Sequence, residues 1–220
     1  MEPVEIIKKK SCFNLYQFKE IIQYFYNKTD YEVFSMINKR CGQVLLLFEE
    51  NPIPYTEDMK VIFPNICIQH LYHYEEEHVF GMKKYIYHFE VSYSYYHDVH
   101  GERIKFKRVV FNRLDRIRYG GQIPEGITDI GYKAFNGSDI QVVIIPDTVT
   151  SINNNAFENC NNLKTVYFSK NLLSIGAEAF LDCVSLKEIN KPTALQFIGY
   201  HCFHGCIKLK ELPKEIKRSN

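Results

Sequence analysis

Ser174-Ile175-Gly176-Ala177-Glu178-Ala179-Phe180-Leu181-Asp182-Cys183 decides the fold, because its pattern returns along the second half of the chain. The pair of a small residue and Phe recurs as Ala134-Phe135, Ala156-Phe157, Ala179-Phe180 and Cys202-Phe203, with the Phe residues 22, 23 and 23 apart. Five residues before each Phe stands Ile130, Ile152, Ile175 or Ile198, and three before that an aliphatic, Ile127, Val149, Leu172 or Leu195. Three after the Phe come Ser138, Cys160, Cys183 and Cys206; next follow Ile140, Leu163, Leu186 and Leu209, then Val143, Val166, Ile189 and Leu212. A period in this range marks a stacked-repeat architecture. One repeat is too small to bury its own apolar face, so neighbours must supply the core.

Working outward, Ile145-Pro146-Asp147-Thr148-Val149-Thr150-Ser151-Ile152 completes the unit on its amino-terminal side. Together the two stretches resemble the BspA-like, or treponemal-type, leucine-rich repeat family over residues 123 to 218. Asn153 stands where that family has Gly, Ser138 where it has Cys, and Phe168-Ser169 where it has Ile-Pro. The resemblance implies a short solenoid with a curved parallel sheet, protein recognition or adhesion, no catalysis and no cofactor. It also implies placement at the peripheral plasma membrane or cell surface.

The first half reads differently. Leu15, Phe18, Ile21, Ile22, Phe25 and Tyr26 recur at helical spacing, and Asn27-Lys28-Thr29-Asp30 interrupts them. Asp30 is the expected cap of a second helix carrying Tyr31, Phe34, Met36 and Ile37, giving a helical pair over 13–48. Glu20-Ile21-Ile22, Phe25, Asp30-Tyr31 and Ile37-Asn38-Lys39-Arg40-Cys41 are similar to an F-box, which implies a Skp-type adaptor as partner. The other reading is a helical cap sealing the apolar end of the solenoid. Asn51-Pro52-Ile53-Pro54 and Phe63-Pro64-Asn65-Ile66 are similar to amoebic members of the repeat family, and the residues up to Tyr72 read as a degenerate repeat strand. Alternation at Tyr85, Tyr87, Phe89, Val91, Tyr93 and Tyr95, answered by Ile104, Phe106, Val109, Val110 and Phe111, predicts a β-hairpin over about 84–112 that turns at Gly101. The expected fold is therefore α+β. A capping region spans 1–122, and four repeats of period 22–23 span 123–220.

Composition sets the outer limits. The 220 residues hold 27 Lys and Arg against 26 Asp and Glu, a balance that argues against a general nucleic-acid binder. Aromatic residues reach 15%, with 16 Tyr and 16 Phe, which excludes a disordered chain. Met1-Glu2-Pro3-Val4-Glu5 is acidic where a signal peptide is basic, and the longest apolar run, Val44-Leu45-Leu46-Leu47-Phe48, is far too short to span a bilayer. The default expectation is a cytoplasmic protein with reduced thiols.

His201-Cys202-Phe203-His204-Gly205-Cys206 has the composition of a zinc site, but the repeat register puts both cysteines in inward columns, so no metal is expected. No phosphate loop, nucleophile elbow or catalytic triad can be assembled by spacing, which sets a non-enzymatic reading. Seven bases between Arg103 and Arg118 face one acid, Asp115, and Arg103, Lys105, Lys107 and Arg108 are the candidates for an anion, either anionic lipid or nucleic acid.

In a Leu-x-x-Ile-x-Ile strand the named aliphatics point inward and the residues between them outward. That gives a partner-binding face of Val142, Ile144, Thr165, Tyr167, Glu188, Asn190 and Glu211. The expected function is recognition of a protein ligand on this face, with a ubiquitin-ligase adaptor as the alternative. Leu209-Lys210-Glu211-Leu212-Pro213-Lys214 reads as the last strand, its edge blocked by Pro213 and lysines. The chain is accordingly expected to be a monomer in dilute solution. Light scattering should return the single-chain mass, and twice that mass would refute the blocked edge.

Overall fold

A computed structural model describes residues 14–210, without the side chain of Arg40. Glu211, the Leu212 and Pro213 end of the expected last strand, and the Met1–Glu5 segment lie outside the described residues. The chain divides into two compact units, Met1–His88 with Glu102–Lys105, and Phe89–Gly101 with Phe106–Asn220.

Three helices open the first unit: α1 (Leu15–Ile22), α2 (Lys28–Ile37) and α3 (Lys39–Leu45). Each begins at an asparagine whose side chain takes an otherwise unpaired backbone N–H: Asn14 from Gln17, Asn27 from Asp30, Asn38 from Cys41. The second helix thus starts earlier than expected, and Asp30 sits inside its first turn rather than capping it. A third helix was not expected; it exists because Asn38 ends α2 in extended backbone and caps α3. The core of this unit is aromatic, with Tyr31 edge-on to Phe63 at 5.0 Å and Phe48 to Phe63 at 5.6 Å. A 3-10 turn (Glu57–Val61) leads to β1 (Ile68–Leu71), the strand expected here. It pairs in parallel with β2 (Lys84–Ser92), from Ile68↔Lys84 to Leu71↔Tyr87. The buried Gln69 holds the loops, donating to the Tyr55 and Glu77 carbonyls and accepting from Val79 N–H.

The expected hairpin over 84–112 does not form. After β2 the chain enters helix α4 (Tyr93–Val99), then β3 (Ile104–Phe111), then helix α5 (Arg113–Tyr119). Ser92 caps α4 by accepting from Tyr95 N–H at 3.2 Å, and Asp115, a buried carboxylate, accepts N–H bonds from Ser94 at 2.9 Å, Tyr93 at 3.3 Å and Asn112 at 2.9 Å. Those bonds draw the first turn of α4 against the start of α5, so the alternating tyrosines 93 and 95 are helical.

In the second unit β3 continues in parallel into β4 (Asp129–Ile130), with Phe111 beside Ile130. Each regular repeat then supplies two strands where one was expected. One ladder runs β4, β6 (Ser151–Ile152), β8 (Ser174–Ile175) and β10 (Phe197–Ile198); the other runs β5 (Val142–Ile144), β7 (Thr165–Tyr167) and β9 (Glu188–Ile189). All pairings in both are parallel and in repeat register, with Asp129, Ser151, Ser174 and Phe197 in one row.

Between the ladders the Phe column stacks. Ring centroids lie 5.7 Å apart for Phe111–Phe135, 4.9 Å for Phe135–Phe157, 5.0 Å for Phe157–Phe180 and 5.3 Å for Phe180–Phe203, with planes within 22° of parallel. The column starts at Phe111, so repeat packing begins before residue 123. Phe168, in the place of the Ile of Ile-Pro, enters the core edge-on to Phe180 at 5.7 Å. The thiols form a second column: Cys160 donates to the Phe135 carbonyl, Cys183 to Phe157 and Cys206 to Phe180, each at 3.1 Å.

The turn carrying each Phe is stitched to the next by main-chain bonds, Phe135 N–H to Ala156 O, Phe157 to Ala179 and Phe180 to Cys202. To make that turn, residues two before and two after the Phe adopt left-handed backbone. Lys133, Asn155, Glu178 and His201 fill the first position; Gly137, Asn159, Asp182 and Gly205 fill the second. Phe157, fully buried between two rings, should cost about 3–5 kcal/mol of stability when truncated to Ala. Denaturant melts that move by less than about 1 kcal/mol would contradict the stacking described here.

Candidate functional site

The β5–β7–β9 sheet positions the candidate face. Val143 and Val166 are buried and Ile189 half-buried, and the in-register pairing that aligns them aligns the outward residues too. Val142, Thr165 and Glu188 form one row, and Ile144 lies beside Tyr167 in the next. Ile144 is 68% exposed, Tyr167 50% and Val142 49%, so an apolar and aromatic strip faces solvent on a backbone whose other side is core.

Asn190 is exposed, but its amide is engaged. Its Oδ1 accepts from Phe168 N–H at 2.6 Å and its Nδ2 donates to the Phe168 carbonyl at 3.0 Å. It extends the ladder by side chain where β9 has ended. Beside the strip, Lys164 donates to Gln141 Oε1 at 2.9 Å and Lys170 pairs with Asp147 at 2.7 Å. The Asp147 carboxyl is held below its usual range by the Lys170 ammonium and by the Lys170 backbone N–H, which donates to Asp147 Oδ1.

Along the start of the basic stretch, exposed bases alternate with half-buried Ile104 and Phe106. Lys105 and Lys107 are exposed on β3 and Arg103 is exposed just before it. Arg108 is spent on acids, reaching Asp129 at 3.0 Å and Glu90 at 3.2 Å. Asp129, nearly buried, also accepts from Thr128 Oγ1, so the Arg108 charge balances a carboxylate inside the sheet. The remaining bases sit on α5. Arg116 lies over the Phe135 ring, with its guanidinium carbon 5.9 Å from the centroid, and Arg118 reaches Asp98 at 3.7 Å.

No group of three or more His, Cys, Asp or Glu among the described residues is arranged to hold a metal ion. His201 and His204 point outward and stack on each other at 4.8 Å, whereas Cys202 and Cys206 face the core. Burial pushes the Cys202 thiol up, and neighbouring thiols together with burial do the same to Cys183, so both stay protonated.

Sequence reasoning missed a cleft of about 1070 Å³ in the first unit, lined among others by Tyr16, Lys19, Tyr24, Glu50, His70 and Lys83. At its wall Glu50 bonds His70 Nε2 at 2.8 Å, and His70 Nδ1 bonds His88 at 2.6 Å. These residues come from α1 and the turn after it, the 46–52 segment, β1, β2 and the residue before β2, and no local pattern joins them.

Residues 106–214 match the BspA type leucine rich repeat region in six copies. No curated protein matches the chain. Among solved structures, a leucine-rich repeat protein of T. pallidum is 30% identical, with a TM-score of 0.41 and coverage of 50% of this chain and 50% of that one. One from Bacteroides capillosus is 35% identical, with a TM-score of 0.36 over 43% of this chain and 64% of that one. A leucine rich cell surface protein of Faecalibacterium prausnitzii is 34% identical, with a TM-score of 0.35 over 40% and 26%. The chain thus spans about half the length of the T. pallidum protein. Among the described residues no helix is long and apolar enough to cross a membrane. With two ladders, a Phe stack and six matched copies, residues 106–214 are similar to the leucine rich repeat region of the BspA type.

Proposed function

We propose that the chain is a non-enzymatic recognition module that docks a protein partner on the outward face of β5, β7 and β9. The carrying observation is the strip of Ile144 and Tyr167, exposed on a sheet whose register is fixed from behind by buried Val143 and Val166. A rigid aromatic beside an aliphatic is what binding hot spots contain, and repeat stacks serve as extended binding surfaces. Thr165 and Glu188 supply the polar margin; Asn190 acts mainly by holding the backbone of Phe168.

A second reading, an adaptor that engages a Skp-type partner through its helices, draws on one observation. Val33, Met36 and Ile37 on α2 are all exposed at the spacing of a single helical face. Stoichiometric co-purification with a Skp-type protein would favour it.

Replacing Tyr167 with Ala should leave the melting temperature nearly unchanged, since the ring is half in solvent, yet weaken partner binding by about 2 kcal/mol. The measurement is affinity capture from the native cell, wild type against the single variant and against a Tyr167→Ala, Ile144→Ala double variant. Undiminished capture by the double variant would eliminate this face.

A further inference from the structure

The two ladders of the second unit do not begin together. The ladder of β4, β6, β8 and β10 reaches back to β3, whereas the other has no strand before β5. Ile123-Pro124 repeats as Ile145-Pro146, so Gly120, Gly121 and Gln122 occupy the places of Val142, Val143 and Ile144 one repeat earlier, and none of the three lies in a strand. Gly120 closes α5 with a φ of 90°, outside the extended range, just where a strand would have to begin. One edge of β5 is left over. Ile145 N–H donates to the Tyr167 carbonyl, and the Gln141 carbonyl accepts from Lys164 and Thr165, so these odd-numbered residues turn their main chain toward β7. Neighbouring residues of a strand point their main-chain groups to opposite sides, so the N–H and C=O of Val142 and of Ile144 point away from β7. Among the described residues no hydrogen bond reaches these groups from Gly120, Gly121 or Gln122, nor from any side chain. Where β9 ends, by contrast, the Asn190 amide takes both polar groups of Phe168.

We propose that the partner, taken to dock on the recognition face as argued above, contributes an extended strand that pairs with this edge of β5 and carries apolar side chains at alternate positions. Two donors and two acceptors in a line, repeating every two residues or about 6.6 Å, are matched by another extended backbone. Free edges are templates for pairing, and proteins usually block them with proline or charge; Val142, Val143 and Ile144 supply neither. Outward side chains of the added strand fall into the rows of Val142 with Thr165 and of Ile144 with Tyr167, so apolar residues there lengthen the exposed strip by one strand. Val143 is already buried behind the edge, and pairing needs no opening of the core.

The probe is a peptide with the sequence of Lys164-Thr165-Val166-Tyr167-Phe168, capped at both ends, because that segment natively pairs through both of its edges. Amide hydrogen exchange is followed by NMR on the whole chain. In the free chain Val142 and Ile144 should exchange much faster than Val143 and Ile145, and peptide at about ten times its Kd should slow them about tenfold. Val142→Pro removes an N–H that makes no ladder bond, so it should leave the melting temperature nearly unchanged and abolish the slowing at Ile144. Val142→Thr, which keeps the N–H, should respond as wild type does. Free-chain exchange at Val142 and Ile144 as slow as at Val143, no slowing with peptide, or equal slowing in the Val142→Pro chain overturns the proposal. Slowing that follows the concentration of the chain alone assigns the edge to a second copy and overturns it too. The wild-type exchange data decide even if Val142→Pro does not fold. Capture by the Tyr167 variants judges the face and exchange at Ile144 judges the edge, so the failure of one is distinct from the failure of the other.

Discussion

Neighbouring repeats are held one strand spacing apart, about 4.8 Å, and everything else in the second unit follows from keeping that distance at several places at once. Flat Phe rings stacked near 5 Å satisfy it in the core. Short parallel ladders satisfy it on two sides, and the turn carrying each Phe satisfies it through main-chain bonds to the next turn. No single ladder would be stable alone, since most of its strands are two or three residues long. Their common spacing makes them cooperative, and it makes inserting or deleting one residue tolerable only between columns. The 22-residue spacing of the first two Phe residues arises between Ser138 and Ile140, where one residue, the exposed Asp139, stands in place of the two of later repeats.

What the sequence showed and what it hid divide along the same line. Phe135, Phe157, Phe180, the isoleucines five before them and the Ser138, Cys160 and Cys183 three after them each belong to a repeated column, so their inward placement could be read directly. The second strand of each repeat could not, because a two-residue strand such as Ser174–Ile175 is too short to show alternation. The hairpin failed for another reason. Tyr93 and Tyr95 alternate as a strand would, but Ser92 caps a helix there and Asp115, some twenty residues on, captures the N–H groups of Tyr93 and Ser94. Long-range polar capture of this kind leaves no periodic trace. The cleft of the first unit is invisible for the same reason.

The candidate face was legible in part. Val142, Ile144 and Tyr167 point outward as strand alternation requires. The role of Asn190 was not legible, since a side chain that completes a backbone ladder looks in sequence like any polar surface residue. Asn51 does the same in the first unit, where its amide donates to the His70 carbonyl and accepts from His70 N–H. In both places an amide ends a row of parallel pairing, so the strand next to it keeps both polar groups satisfied.

The thiol column carries a liability of another kind. Each S–H of Cys160, Cys183 and Cys206 donates inward to a Phe carbonyl of the preceding repeat. Adding oxygen to one of these sulfurs would enlarge a fully packed site, and further oxidation would set negative oxygens against that carbonyl. While the stack is closed, oxidants are kept from Cys160 and Cys183, which have no exposed surface, and Cys206 is the most exposed of the three. Oxidation would therefore reach Cys206 before Cys183 or Cys160. Ser138, at the opposite end of the column, puts a group that does not oxidise where the series begins.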